Sequence, residues 1–129
     1  KEIQLLGKIE SGVYGTGVSS TTVTSTNPLP TGQLSKLLCY VSNSGASSNV
    51  TVNIYTSPSD ATTGRKKNVA LFTLGDGSVT TYEAGNGIDP RQLDQWIWAE
   101  IVNSDTANAA IITVELSMTG DFVGVTLPV

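Results

Sequence analysis

The chain has 129 residues and a formal net charge of −4, with 39% hydrophobic and only 14% charged side chains. That length fits one domain able to bury a core without disulfides or metals. The acidic balance argues against a nucleic-acid partner, which needs a basic face, and the lack of any histidine removes Ser-His-Asp and Cys-His machinery together with histidine-ligated metal sites.

Period-two alternation predicts a series of short strands along the chain. Ile3–Ile9 and Val13–Thr24 come first; Gly12, Gly15 and Gly17 precede no helix and read as bends in an early strand. Lys36–Ser42 contains Leu37-Leu38-Cys39-Tyr40-Val41, where the single cysteine reads as a buried structural residue. After Asn43-Ser44-Gly45, Val50, Val52 and Ile54 alternate with Thr51, Asn53 and Tyr55. The turn Ser57-Pro58-Ser59-Asp60 leads to Arg65-Lys66-Lys67, read as a solvated loop or, with Pro58, as the guard on a strand edge. Val69–Leu74 and Ser78–Glu83 flank Gly75-Asp76-Gly77, which reads as a hairpin turn, and Asn86-Gly87 reads as another turn. Asp89-Pro90-Arg91-Gln92-Leu93 suits one helical turn with Pro90 in its first position.

In Gln95–Val102, Trp96, Trp98 and Glu100 share one side and Ile97, Ala99 and Ile101 the other. A strand apolar on both sides is central, or covered on its second face by a loop or a neighbouring subunit. Ala110, Ile112, Val114, Leu116 and Met118 mark a strand with one face on a core, and Phe122–Leu127 reads as the last strand. Apolar residues within Lys1–Glu10 and Val123–Val129 are expected to pair with the sheet or with a neighbouring chain.

The expected fold is therefore one all-β domain over residues 1–129, an antiparallel β-sandwich, jelly-roll-like, of about eight or nine strands. The run Leu37–Ser44 echoes Ile97–Ser104 at a constant offset, with Val52-Asn53-Ile54 and Ile112-Thr113-Val114 following, as if one hairpin were present twice.

Little here carries chemistry. Asp89, Asp94, Glu100 and Asp105 read as solvated groups around turns rather than a glycosidase pair, and Asp60 and Asp76 lack the dense oxygen set calcium requires. No catalytic residue, cofactor, metal site or nucleotide fingerprint is expected, and no stretch reads as a signal peptide or a membrane span. Trp96, Trp98 and Tyr82 are the candidate anchors, for a protein interface or alternatively for stacking on a glycan, against the reading of Trp96 and Trp98 as core packing.

The segment Trp96-Ile97-Trp98-Ala99-Glu100-Ile101-Val102-Asn103-Ser104-Asp105, followed by Ala109–Leu116, resembles small β-sandwich virion proteins of tailed phages, the head-decoration or auxiliary capsid type. The resemblance implies a non-enzymatic homo-oligomer, trimer favoured, docked on a capsid or other virion protein and located on the virion. The alternative is an extracellular carbohydrate-binding or adhesin-like module that presents an aromatic face to a glycan.

Overall fold

The computed structural model describes residues 2–25, 27–60, 64–122 and 124. Among these, eight strands follow one another: β1 (Ile3–Tyr14), β2 (Thr21–Thr24), β3 (Leu34–Asn43), β4 (Val50–Ser57), β5 (Lys67–Leu74), β6 (Tyr82–Ile88), β7 (Trp96–Asn103) and β8 (Ala110–Gly120). They form two four-stranded antiparallel sheets, ordered β1-β8-β3-β6 and β2-β7-β4-β5. Among the described connections only β4–β5 joins neighbours within a sheet; each other link passes from one layer to the other. This is the double-sheet jelly roll.

Alternation explains the packing. On β8, Ala110, Ile112, Val114, Leu116 and Met118 are fully buried, while Ile111, Thr113, Glu115 and Thr119 turn away from the core. Val50, Val52 and Ile54 of β4 and Ile97, Ala99 and Ile101 of β7 supply the opposing layer, all fully buried. Burying each such aliphatic side chain contributes about 1.5–3 kcal/mol. Cys39 lies in the same core, and burial pushes its thiol up to about 12, which makes it an inert packing group.

Several expectations need correction. Val13–Thr24 is not one strand: β1 ends at Tyr14, residues 15–20 leave the ladder, and β2 starts at Thr21. Gly75-Asp76-Gly77 is not a hairpin turn, because β5 and β6 lie in different sheets. The backbone there presses on the β3–β4 link: Gly77 N donates to Gly45 O at 2.9 Å, and a Cβ at Gly77 would stand 1.7 Å from Asn43 O. The strand expected at Ser78–Glu83 begins only at Tyr82, and Asn86-Gly87, expected as a turn, lies inside β6, where Gly87 pairs with Leu38. Strand pairing here overrides local turn chemistry. The segment at Phe122–Leu127 falls largely outside the described residues.

Other expectations hold. Pro90 opens a 3-10 turn, Pro90–Gln92, capped by the Asp89 side chain accepting from Arg91 N at 3.0 Å. The start of the chain pairs with the protein's own β8. As an edge strand, β1 carries a register shift between Lys8 and Glu10, and Tyr14 donates to Glu10 Oε2 at 2.5 Å. A bulge with a charged group held at the rim discourages edge-to-edge pairing. Burial first, and then the Glu10 carboxylate, raise the pKa of Tyr14.

The internal echo is real in three dimensions, but as two interlocked arches rather than two hairpins. β3 and β7 occupy different sheets; each leads through a six-residue link into the other layer, and the arches pair crosswise as β3·β8 and β4·β7. At the end of each first strand sits a fully buried asparagine, Asn43 or Asn103. Asn43 Nδ2 donates to Ser47 O and Gly75 O, and its Oδ1 accepts from Gly45 N and Ile111 N, all within 3.1 Å. Asn103 Nδ2 donates to Tyr14 O, Gly15 O and Asn108 O, and its Oδ1 accepts from Ser47 Oγ and Asp105 N, all within 3.2 Å. Each amide satisfies backbone groups that the crossing strands can no longer pair.

Candidate functional site

The three anchors expected from sequence are not brought together. Trp96 and Trp98 share the outer face of the β2-β7-β4-β5 sheet, as the alternation required, whereas Tyr82 starts β6 at the edge of the other sheet. Tyr82 is 41% exposed, and its ring packs beside Gly75. Trp96 is half-buried.

Trp98 is closed off. It pairs with Tyr55 across the β4–β7 ladder, and the two rings stack with centroids 4.6 Å apart and planes 26° from parallel. Lys66 Nζ lies 4.8 Å from the Tyr55 centroid and 5.6 Å from that of Trp98, a cation over two π faces. The indole N–H donates to Ser57 Oγ at 3.3 Å. With 1% of its surface exposed, Trp98 offers no ring face to a sugar or a partner. Part of the basic cluster thus roofs an aromatic pair, and Lys67 donates to Gln92 Oε1 from the start of edge strand β5.

The carboxylates singled out from sequence also lie apart in role. Asp89 pairs with Arg91 at 3.1 Å, and that interaction lowers its pKa. Asp94 Oδ1 accepts from Gln95 N. Glu100 sits on the outer face between Thr22 and Asn53. Asp105 binds the two arch links together: it accepts from Ser48 N, Ala107 N and Asn108 N, and those N–H groups hold its pKa at about 2. Among the described residues no group of three or more His, Cys, Asp or Glu side chains is placed to hold a metal.

The opposite surface, the outer face of β1-β8-β3-β6, was missed by sequence reading. Registered rows cross it. Gln4, Thr119 and Lys36 form one row; Leu6, Ser117, Leu38 and Gly87 the next; then Lys8, Glu115, Tyr40 and Gly85; then Ser11, Thr113, Ser42 and Glu83; and last Val13 with Ile111. Leu6 is 67% exposed, Val13 70%, Tyr40 44% and Ile111 42%. A shallow depression of about 330 Å³ is lined by Lys8, Tyr40, Ser42, Glu83, Thr113 and Glu115. The Tyr40 ring lies on Gly85, where a Cβ would come within 2.9 Å of it, and Leu38 reaches over Gly87. The β1 side of the face therefore carries its own exposed side chains, while on the β6 side Tyr40 and Leu38 of β3 cover glycine backbone. The signal was present in the outward members of β1 and β3, Leu6, Lys8 and Tyr40, but the misread turn at Asn86-Gly87 hid the edge strand that completes the face.

No protein-family model and no curated protein matches the sequence. Among solved structures, the chain is similar to that of the infectious bursal disease virus Gx strain, at 15% identity over 92% of this chain and 32% of that one, with a TM-score of 0.54. It is similar to the infectious bursal disease virus VP2 subviral particle at 17% identity, over 92% and 33% of the two chains, with a TM-score of 0.52. A CBM36-1 domain of a multidomain xylanase from the hindgut metagenome of Trinervitermes trinervoides gives 8% identity over 89% and 96%, with a TM-score of 0.49, too low to support an argument. The chain spans about a third of the length of the viral chains it matches. The likeness shows the fold alone, which in this chain is two four-stranded layers forming an all-β sandwich.

Proposed function

We propose that this domain is a non-enzymatic structural component of a virion, of the capsid-decoration or auxiliary type, and that it acts by self-association and docking on a protein lattice. Fold likeness by itself carries no activity. The observation behind the reading is the outer face of β1-β8-β3-β6, where Leu6, Tyr40, Val13 and Ile111 stand exposed on regular strands. Single exposed apolar side chains are ordinary, but several on one registered face mark an interaction surface. Its composition suits an interface, with Leu6, Leu38, Tyr40, Val13 and Ile111 interleaved across the rows with Lys36, Lys8, Glu115 and Glu83.

The glycan alternative, drawn from the tryptophan face, needs open indole rings there. Trp98 is roofed by Tyr55 and Lys66, which leaves Trp96 half-buried without an exposed indole beside it.

Light scattering on a sizing column, from about micromolar to about millimolar chain, tests the reading. Oligomers are expected, and a monomer at every concentration sinks self-association. Turnover of any substrate by purified protein removes the non-enzymatic half.

A further inference from the structure

We infer that the partner of the β1-β8-β3-β6 face is a second copy of this chain, related by a two-fold axis that lies in the interface, parallel to the strands, between β8 and β3. The inference rests on the self-association reading and specifies its geometry.

A two-fold contact must be self-complementary: what one copy presents at a position, the other must receive at the related one. The order β1-β8-β3-β6 has β8 and β3 at its centre. Rotation about an axis between them lays β1 of one copy over β6 of the other, with each row meeting its own counterpart. The contacts then match in kind. Leu6, exposed on β1, falls on Leu38 where that side chain reaches over Gly87, and Lys8 falls on the Tyr40 ring that lies on Gly85, beside Glu83. The central rows meet as Glu115 over Tyr40 and Ser117 over Leu38.

Charge matches as well. Lys8 is on β1 and Glu83 on β6, at opposite edges of the face, so the two-fold brings them together twice. An axis perpendicular to the strands would instead lay β1 over β1 and β6 over β6, which keeps Lys8 and Glu83 at opposite edges of the contact. The strands of two stacked sheets cross at about 30°, which keeps these matches within side-chain reach.

Lys8→Glu and Glu83→Lys test the arrangement. Alone, each variant creates two repulsive contacts per dimer, and its dissociation constant should rise at least about tenfold over wild type. Mixed in equal amounts, they should form a heterodimer of near wild-type affinity, because both contacts then join opposite charges. Leu6→Asp should weaken the dimer by about tenfold or more. Circular dichroism and thermal unfolding confirm that each variant folds; if Leu6→Asp does not fold, the exposed Lys8 and Glu83 pair still decides the matter.

Recovery on mixing supports the two-fold. Wild-type oligomers indifferent to all three substitutions overturn this face while leaving self-association standing. A closed trimer overturns the two-fold and keeps the homo-oligomer. A wild-type monomer at every concentration overturns both.

Discussion

The two outer faces of the sandwich begin from similar material and end differently. Each has an aromatic residue pointing away from the core on an inner strand: Trp98 on β7 and Tyr40 on β3. On the β2-β7-β4-β5 face, Tyr55 is the registered neighbour of Trp98 and Lys66 folds over both, so the indole is sealed. On the β1-β8-β3-β6 face, the neighbours of Tyr40 are Glu115 and Gly85; the ring lies flat and stays 44% exposed. The lesson is that an outward aromatic becomes core or interface according to what its cross-strand neighbours supply. Trp98 behaves as a second, small core, and Tyr40 as surface available to another molecule.

The sharpest way to break this contrast is Trp98→Ala. If the closed face is structural, equilibrium denaturation should show a loss of about 3–5 kcal/mol, with self-association of the folded fraction unchanged. A stable variant with altered assembly would reverse the roles of the two faces. Asn103→Ala comes next. It strands the backbone groups of the second arch and should cost about 3 kcal/mol by the same measurement. Asn43→Ala should behave similarly if the two arches are equivalent supports, and a large inequality would show that only one of them holds the layers together.

On the open face, Leu6→Asp should change monomer stability by less than about 0.5 kcal/mol, as befits an exposed site, while sedimentation shows loss of oligomer. Lys66→Ala should cost about 0.5–1 kcal/mol in thermal or chemical unfolding and raise Trp98 fluorescence quenching by iodide. The smallest effect is acid dependence. Asp105 has its pKa lowered to about 2 from 3.8, so its contribution is complete above about pH 4 and is lost as pH falls towards 2. Melting temperatures between pH 5 and pH 2 should decline less steeply in Asp105→Ala than in wild type.

Much of the fold is legible in the residues. Alternation in Ala110–Met118 and Val50–Tyr55 places β8 and β4, Cys39 reads as core, and Asp89-Pro90 marks the 3-10 turn, because burial periodicity and capping are local properties. The errors cluster at Gly75–Gly87. Glycine and asparagine there favour turns in isolation, yet Gly85 and Gly87 are strand residues held by Tyr40 and Leu38, and Gly77 is glycine because another backbone passes within van der Waals reach. The candidate anchors were legible as to face but not as to access. Trp96 and Trp98 were assigned to one side correctly, but the roof over Trp98 comes from Tyr55 and Lys66, more than thirty residues away in the chain.

By itself, then, the order of amino acids determined the class of the molecule, one all-β unit with inward and outward side chains, since each strand's pattern follows from backbone geometry alone. It also carried the repeated Asn-Ser at the two arches. Tertiary structure decided which strands became neighbours, and through them which outward aromatic was sealed and which left open. Those outcomes depend on pairing between distant segments, where the free energy is set by partners that no local window contains.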